Sequence, residues 1–308
     1  MNIAIERRVE SVVVFGANGF LGSVITKRLH NSGFEVVPVV RPGADKSRLD
    51  TQENLKVLVI EPSQWPQLIS KLQPNAIICS QWKGVSKQDR NNSELQKTNI
   101  QPLMNIANSA KDSQVGSFVC FGSQAEASES MEIIKEDFYD SGKTAYGMVK
   151  SELHSNLASL FEGSDCRIIW ARIFSVYGPS DHSESLLMRL FQSQITQNEL
   201  VISNPSKFWS YLYEDDFASA IEGILRNLNI MSTVNVGNPL FNEIREIVAI
   251  WHDQSLADRK TYESNQANIG FFPQLEKSSL IGWHPSISLE EGIRRTRKAF
   301  SEYVNSKE

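Results

Sequence analysis

The sequence is poor in cysteine and shows no pattern of metal ligands. Its 308 residues include three cysteines, Cys79, Cys120 and Cys166, and no CxxC pair. The five histidines occur in no HxH or HExxH spacing. These absences argue against a disulfide framework and predict no metal site, so we expect free thiols in a reducing compartment.

Long hydrophobic runs and an excess of positive charge are also absent. No apolar segment has the length to cross a bilayer, and the first ten residues contain four charged side chains, which is unlike a secretory signal. The formal net charge is −5, which gives no basis for a nucleic-acid or anionic-membrane partner. We therefore expect a cytoplasmic protein that binds neither nucleic acid nor membrane.

Short apolar runs alternate with helical segments through the first half of the chain. The runs are apolar at nearly every position, as is typical of parallel strands that helices cover on both faces. This alternation predicts an α/β fold with a doubly wound parallel (Rossmann) sheet. The predicted strands are residues 11–16, 35–40, 56–60, 76–79, 117–121 and 167–171, and the predicted helices are residues 21–31, 65–72, 93–109 and 146–161.

The alternation ends near Ser175. No low-complexity linker separates the later segments from the first half. We expect a dinucleotide-binding domain over residues 1–174, completed by parts of residues 208–240, and a smaller C-terminal substrate-binding lobe in residues 175–308. The predicted later helices are residues 183–197, 214–228, 242–251 and 289–302, and residues 233–236 are a predicted strand.

A glycine-rich turn joins the first predicted strand to the first predicted helix. In its GxxGxxG spacing, Gly16 permits the tight turn, Gly19 allows a phosphate to approach, and Gly22 lets helix and strand pack. The backbone N–H groups and the helix N-terminus then face a pyrophosphate. The alternative is three turn glycines aligned by chance. The predicted cofactor-binding residues of this loop are Gly16, Asn18, Gly19, Phe20, Leu21 and Gly22.

The end of the second predicted strand bears on the choice between NAD(H) and NADP(H). An acidic residue there would accept from a ribose 2′-hydroxyl, whereas an arginine would pair with a 2′-phosphate. The strand ends with Val40 and Arg41, and Arg48 follows. We therefore favour NADP(H), with Arg41 in the cofactor site. NAD(H) stays open, because the alternative is that both arginines are solvated surface residues.

A tyrosine and a lysine lie four residues apart on one predicted helix. Tyr146 and Lys150 therefore share a face, and a nearby ammonium stabilises a phenolate, which suits acid/base work. Lys150 could also contact the nicotinamide ribose. Ser123 follows a predicted strand, where loops at the carboxyl ends of parallel strands form active sites, and its hydroxyl could hold a substrate oxygen. The alternative is a packed tyrosine beside a solvated lysine.

In these motifs the chain resembles the extended short-chain dehydrogenases/reductases, in the branch of NAD(P)-dependent nucleotide-sugar epimerases, dehydratases and reductases. The resemblance spans nearly the whole length. It implies catalytic roles for Ser123, Tyr146 and Lys150 and adds Asn99 as a catalytic residue. It also implies a homodimer formed through a four-helix bundle. The bundle would use residues 93–109 and 146–161, and further family landmarks match residues 172–179, 213–216 and 282–285.

The chain departs from the family pattern after the candidate catalytic serine. Family dehydratases have Asp-Glu there as the acid and base of water elimination, whereas this chain has Gln124 and Ala125. Glu126 is offset by one position, so we expect no 4,6-dehydratase activity. The segment is similar to that of sugar reductases and epimerases of polysaccharide biosynthesis, except that Ala127 replaces a tyrosine.

A second departure concerns the substrate diphosphate. Trp209 stands where the family usually has an arginine, and Lys207 or Arg259 is the alternative source of positive charge. His182 is a further candidate for the pocket. The resemblance implies a nucleotide sugar as the small-molecule substrate. Its predicted contacts are Ser123, Gln124, Tyr177, Lys207 and Trp209.

The leading hypothesis is an NADP(H)-dependent oxidoreductase that reduces a keto group of a nucleotide-activated deoxysugar. Tyr146 would donate the proton while Ser123 holds the oxygen. The alternative is a nucleotide-sugar epimerase that retains NAD, since both reactions need the same trio. A lower-ranked hypothesis is a non-catalytic, cofactor-sensing protein. Ala127 and Trp209 suggest it, and the intact trio argues against it.

Overall fold

The computed structural model describes residues 10–50, 52, 54–127, 133–230, 232–253 and 270–305. Its strands are β1 (Ser11–Phe15), β2 (Glu35–Val40), β3 (Leu58–Val59), β4 (Ala76–Cys79), β5 (Ser117–Ser123), β6 (Ile133–Ile134), β7 (Arg167–Ile173), β8 (Val176–Tyr177), β9 (Phe208–Trp209), β10 (Leu212–Tyr213), β11 (Ser232–Val236), β12 (Asn242–Glu243) and β13 (Phe272–Pro273). Its helices are α1 (Phe20–Asn31), α2 (Trp65–Leu72), α3 (Ser93–Lys97), α4 (Ile100–Asp112), α5 (Ala145–Leu160), α6 (Leu186–Thr196), α7 (Glu214–Arg226), α8 (Ile244–Trp251), α9 (Glu276–Leu280) and α10 (Leu289–Asn305).

Seven parallel strands form the central sheet in the order β11-β7-β5-β4-β1-β2-β3. The doubly wound parallel sheet predicted from the sequence is confirmed. The strand order reverses between β1 and β4, and ligands of such sheets bind outside the carboxyl ends of the strands at this reversal. A ligand site is therefore expected at the loops after β1 and β4.

Two apolar cores sandwich the sheet because its central strands are buried on both faces. On one face α1 and α7 pack against the sheet through side chains such as Ile25 and Phe217. On the other face α2, α4 and α5 do so through side chains such as Ile69, Ile106 and Leu153. Burial on both faces accounts for the nearly continuous apolar character of these strands.

A smaller lobe lies on the C-terminal part of the chain. Its core gathers residues of α6, α8 and α10, including Leu190, Trp251 and Phe300. Three two-stranded pairs accompany it, namely β8 with β10, β9 with β12 and β6 with β13. Among the helices that the structure describes, none has the length and apolar character that a membrane span requires.

Some predicted elements have different bounds in the structure. The helix predicted over residues 93–109 is divided into α3 and α4, because Pro102 has no N–H to donate to the Thr98 carbonyl oxygen of a continuous helix. The strand predicted over residues 56–60 is shortened to β3, and the helix predicted from residue 242 is preceded by β12. The fifth strand is longer than expected and extends to Ser123.

Candidate active site

The glycine loop after β1 is a tight turn that only small residues fit. Gly16 has a φ of +78°, which favours glycine, and a Cβ there would lie 2.5 Å from the Gln81 backbone nitrogen. A Cβ on Gly22 would lie 2.1 Å from the Gly16 carbonyl oxygen. Glycine at positions 16 and 22 therefore lets α1 and the loop after β4 approach the turn closely.

The first turn of α1 and the side chain of Gln81 fit a dinucleotide. No side chain caps the start of α1 at Gly19, so the N–H groups of its first turn are available to a phosphate. Both polar atoms of the Gln81 amide are buried and have no hydrogen-bond partner in the described part of the chain. Such an orphaned amide beside Gly16 is expected where a ligand supplies the missing partners. Asn18, Phe20 and Leu21 are partly buried along this loop, and the cofactor-binding role of the loop residues stays a prediction.

The two arginines after β2 have different surroundings. Arg41 directly follows Val40 at the strand end and is exposed. Arg48 donates from Nε to the Ser180 carbonyl oxygen at 2.9 Å, which ties it to the segment that enters the C-terminal lobe. Arg41 is thus exposed at the tip of β2, whereas Arg48 is partly engaged through its Nε.

Tyr146 and Lys150 are brought to the end of β5 by the packing of α5. Thr144 caps this helix by accepting from the Gly147 N–H at 3.1 Å, and a Cβ on Gly147 would lie 2.0 Å from the Ala125 carbonyl oxygen. The start of α5 therefore lies directly against the turn that follows Ser123. Tyr146 and Lys150 are both buried, with 9% and 4% of their surface exposed.

The Lys150 ammonium has two partners. Its Nζ donates to the Phe121 carbonyl oxygen at 2.6 Å and lies 3.5 Å from the centre of the Trp82 ring. It also lies 5.8 Å from the centre of the Tyr146 ring. A carbonyl and an aromatic face both stabilise a cation, so Lys150 is held in place beside Tyr146 without a carboxylate partner among the described residues.

Trp82 is a site residue that the sequence analysis did not identify. Its Nε1 donates to the Gln96 side-chain oxygen at 2.8 Å, and its ring meets the Tyr146 ring edge-on at 5.7 Å. The indole thus forms a wall against both Tyr146 and Lys150. A tryptophan in a loop after a strand carries no sequence signal of such a position.

Asn99 supports this wall from behind. Its Oδ1 accepts from the Lys83 N–H at 2.7 Å, and its Nδ2 donates to the carbonyl oxygens of Lys83 and Gln96 at 3.1 and 3.0 Å. These bonds hold the loop that carries Gln81 and Trp82. The catalytic role predicted for Asn99 stays a prediction, and its visible contacts are those of a positioning residue.

Ser123 lies at the carboxyl end of β5 and is held by Glu126. The Ser123 N–H donates to Glu126 Oε1 at 2.6 Å, and Ser123 Oγ accepts from the Ala125 N–H at 3.2 Å. The Glu126 carboxylate also accepts from Trp170 Nε1 and forms an ion pair with Arg172 at 3.1 Å. Because Glu126 and Arg172 are both at least 98% buried, Glu126 is committed to fixing the turn below Ser123.

Three of the predicted substrate contacts lie together on the lobe side. Gln124 Nε2 and Trp209 Nε1 both donate to Ser175 Oγ, at 3.0 and 2.5 Å. Lys207 Nζ lies 4.6 Å from the centre of the Trp209 ring. Ser175, which was not among the predicted site residues, therefore joins Gln124 and Trp209 by accepting a hydrogen bond from each. We call Gln124, Ser175, Lys207 and Trp209 the lobe wall.

The remaining candidates lie elsewhere. Tyr177 is 1% exposed, its hydroxyl donates to the Leu289 carbonyl oxygen at 3.3 Å, and burial raises its pKa. Its position is in the core of the lobe, so its predicted substrate contact has no visible support. His182 is exposed, with Nε2 3.8 Å from Asp181 Oδ1. Arg259 lies outside the described residues.

The three cysteines are free and buried. Burial raises the pKa of Cys120 and of Cys166 to about 12, so these thiols stay protonated and poorly nucleophilic at neutral pH. Within the described residues, no three His, Cys, Asp or Glu side chains are grouped as metal ligands would be.

A sequence model of the NAD dependent epimerase/dehydratase family matches residues 12–237, which include the glycine loop, Ser123 and the Tyr146–Lys150 pair. The chain belongs to this family. The resemblance inferred from the motifs is thereby confirmed.

Individual relatives are distant in sequence and similar in fold. UDP-glucuronic acid decarboxylase 1 of Danio rerio is 25% identical over 342 residues, which cover 96% of this chain and 74% of the relative. The UDP-glucose 4-epimerase of Thermotoga maritima, solved with UDP-glucose, superposes with a TM-score of 0.81 at 16% identity over 96% of this chain and 99% of that chain. The Thermus thermophilus UDP-glucose 4-epimerase in complex with NAD gives 0.76 at 17% identity over 94% and 99%.

Proposed function

We propose that this family member is a nicotinamide-dependent oxidoreductase that reduces a keto group of a nucleotide-activated deoxysugar. One observation carries the proposal. Tyr146 and the ammonium of Lys150 beside it lie against the end of β5, the strand that ends at Ser123. In the sheet, β5 is next to β4, and the strand order reverses between β4 and β1, the strand that the glycine loop follows. A hydroxyl, a phenol and an ammonium in this arrangement suit proton transfer to a carbonyl oxygen.

Each member of the trio has a separate task in this proposal. Ser123 donates a hydrogen bond to the substrate oxygen, and Tyr146 transfers its phenolic proton to that oxygen as the carbonyl is reduced. Lys150 stabilises the phenolate that Tyr146 becomes. A bound nicotinamide cofactor supplies the two-electron chemistry, and Gly16, Asn18, Gly19, Phe20, Leu21 and Gly22 would hold it together with Lys150.

The lobe wall is the proposed binding surface for the nucleotide diphosphate. The Danio rerio relative is a UDP-glucuronic acid decarboxylase, and the Thermotoga maritima epimerase was solved with UDP-glucose. Lys207 supplies a positive charge on this wall, next to Trp209, where the family usually has an arginine. We therefore propose a UDP-sugar as the substrate with which to begin.

Glu126 supports the proposal that the chain is not a 4,6-dehydratase. Water elimination requires a free acid and a free base beside the sugar. The Glu126 carboxylate is buried and accepts from Ser123, Trp170 and Arg172, which leaves it without access to a substrate proton. The neighbouring positions, Gln124 and Ala125, carry no titratable group.

Epimerisation with retained NAD is the second candidate. It is favoured by the Thermus thermophilus neighbour, an epimerase in complex with NAD. NADP(H) is favoured by the exposed Arg41 at the end of β2 and by the lack of an acidic residue there. The two candidates therefore differ in the cofactor they predict.

Cofactor titration distinguishes the candidates. We expect purified protein to bind NADPH more tightly than NADH by fluorescence, with Arg41→Ala losing on the order of 10-fold in NADPH affinity and little in NADH affinity, because a charged hydrogen bond is lost. Lys46→Ala, in the same exposed loop, is the matched control. Tighter NADH binding, or NAD co-purifying with the protein, would favour the epimerase. Absence of binding to both cofactors would overturn the proposal.

The non-catalytic alternative is tested by Tyr146→Phe. A cofactor sensor would retain its function in cells without the phenolic hydroxyl. Loss of cellular function by a variant that folds and binds cofactor normally would exclude the sensor.

A further inference from the structure

The loop between β4 and α3 brings an indole onto the ammonium of Lys150. The centre of the Trp82 ring is 3.5 Å from Lys150 Nζ. The same ring meets the Tyr146 ring edge-on, with 5.7 Å between the ring centres and 83° between their planes. One side chain of this loop therefore contacts both members of the pair to which the proposed function assigns proton transfer.

The Lys150 ammonium has little other compensation for its burial. Lys150 is 4% exposed, and its Nζ donates to the Phe121 carbonyl oxygen at 2.6 Å. Among the described residues, no carboxylate forms an ion pair with it. A buried cation is costly unless charges or dipoles surround it, and of the aromatic side chains an indole attracts a cation most strongly. The Trp82 ring therefore contributes much of what holds this ammonium in place.

The indole is itself held by a buried glutamine. Gln96 of α3 is 0% exposed, and its Oε1 accepts from Trp82 Nε1 at 2.8 Å. Its Nε2 donates to the carbonyl oxygens of Gly84 and Asp89 at 2.6 and 3.1 Å. Because an indole N–H only donates and a carbonyl oxygen only accepts, these three bonds allow one orientation of the Gln96 amide. Trp82 is therefore fixed before any ligand binds.

The backbone that follows Trp82 is fixed as well. Gly84 has a φ of +80°, which favours glycine, and a Cβ there would lie 2.7 Å from Gln96 Nε2. Lys83 donates its N–H to Asn99 Oδ1 and accepts from Asn99 Nδ2 at its carbonyl oxygen. The loop therefore presents the Trp82 ring to Lys150 in a single arrangement, as a supporting residue of a catalytic group must.

We infer that Trp82 is a positioning residue, whose indole, fixed by Gln96, keeps the Lys150 ammonium beside Tyr146 and thereby sets the rate of proton transfer. The inference rests on the proposed function, because that function gives Tyr146 and Lys150 their roles. Lys150 Nζ is 5.8 Å from the centre of the Tyr146 ring. Its charge stabilises the phenolate that Tyr146 becomes only while it stays this close, since the attraction weakens with distance.

Direct contact of Trp82 with the substrate is the competing role. A contact of that kind contributes to substrate binding and is lost as a rise in KM. An effect that passes through Lys150 arises only as charge develops on the phenol, so its loss lowers kcat and leaves KM unchanged. The two roles therefore differ in the kinetic constant that a substitution of Trp82 changes.

The test measures reduction of a UDP-linked 4-keto sugar by NADPH for the wild type, Trp82→Leu and Trp82→Phe. Leucine removes the aromatic face, whereas phenylalanine keeps a face and lacks the N–H that binds Gln96. We expect Trp82→Leu to lower kcat on the order of 10-fold, with KM and the NADPH dissociation constant within about twofold of the wild type. Trp82→Phe should lose less than about threefold in kcat. Trp82→Met takes the place of Trp82→Leu if the leucine variant does not fold.

A double substitution shows whether the effect passes through Lys150. In a Lys150→Met background, Trp82→Leu should slow single turnovers by less than about a further twofold, because the ammonium is already absent. Trp283→Leu is the matched control, since Trp283 Nε1 also donates to a side chain, Ser219 Oγ at 2.9 Å. Trp283 lies in the core on the opposite face of the sheet from α5, so its loss should leave kcat unchanged.

Several outcomes would overturn the inference. Equal losses of kcat in Trp82→Leu and Trp82→Phe would assign the effect to the bond with Gln96, and additive losses in the Lys150→Met background would assign it to packing. A raised KM with unchanged kcat would assign Trp82 to the substrate, and full activity of Trp82→Leu would leave it no role. If Lys150→Met has no measurable turnover, the comparison of leucine with phenylalanine decides. Absence of turnover by the wild type would instead overturn the proposed function, and the inference with it.

Discussion

Glu126→Gln tests the buried ion pair below the candidate catalytic serine. The Glu126 carboxylate and the Arg172 guanidinium are 3.1 Å apart, and each is at most 2% exposed. Removing one partner of a buried pair typically destabilises a protein by about 3 to 5 kcal/mol, because the other charge stays buried without compensation. Water cannot supply that compensation at this depth.

Other contacts of Arg172 set the expected magnitude. Its terminal nitrogens donate to the carbonyl oxygens of Lys135 and Phe138 at 3.1 and 3.0 Å, and these bonds survive the substitution. The new amide nitrogen would meet the N–H donor of Ser123 or of Trp170, which adds to the loss. Because Arg172 keeps its bonds to the two carbonyl oxygens, we expect a total loss of about 3 kcal/mol in the free energy of unfolding, at the lower end of the range.

Urea unfolding at neutral pH measures this loss. Glu152→Gln, at an exposed position on α5, is the control and is expected to change the free energy of unfolding by less than about 0.5 kcal/mol. Glu126→Gln also replaces the carboxylate that holds the Ser123 N–H by an uncharged amide, so turnover is expected to fall together with stability. A loss below about 1 kcal/mol for Glu126→Gln would refute the view that this pair fixes the turn.

Three further substitutions test other parts of the molecule. Burial raises the pKa of Glu214 to about 8, so between about pH 4.5 and pH 8 the folded protein binds a proton that the unfolded chain releases, and the free energy of unfolding falls as pH rises. Between pH 6 and pH 9, urea unfolding should therefore show a decline that is smaller in Glu214→Gln than in the wild type by about 2 to 3 kcal/mol. Burial lowers the pKa of His154 to about 4, so as pH falls from about 6.5 to 4 the unfolded chain binds a proton that the folded protein does not, and the wild type loses stability. Over that interval His154→Gln should lose less than the wild type by on the order of 2 kcal/mol in the same assay. Gly22→Ala would place a Cβ 2.1 Å from the Gly16 carbonyl oxygen, and fluorescence titration should show at least about a 10-fold loss of cofactor affinity. Unchanged pH profiles, or unchanged affinity, would contradict the corresponding assignment.

The central sheet could be predicted from the sequence because its signals are local. Buried parallel strands leave short apolar runs, such as β1 and β4, and the glycine-rich turn after β1 marks the close passage from strand to helix. The division of the predicted helix over residues 93–109 is marked in the sequence by Pro102, which has no N–H to donate to the Thr98 carbonyl oxygen. The bonds from Asn99 to the backbone of Lys83 could not be predicted, because Lys83 is distant in sequence and near only in the fold.

In the candidate site, too, only the local features could be predicted from the sequence. The spacing of Tyr146 and Lys150 on one helix is a local property, so their shared face was predictable. The indole of Trp82 over Lys150 joins two segments of the chain that have no common pattern. Ser175 likewise gains its position from Gln124 and Trp209, whose approach depends on how the lobe packs on the sheet.

The most direct test of the central claim is turnover by Tyr146→Phe. Wild type and variant are incubated with NADPH and a UDP-linked 4-keto sugar, with cofactor absorbance and sugar products followed together. We predict that the wild type oxidises NADPH as the keto sugar is consumed. The variant should be slower by at least about 100-fold with unchanged cofactor affinity, because only the proton donor is lost. Equal rates for Tyr146→Phe and the wild type would contradict the claim that this tyrosine carries the chemistry.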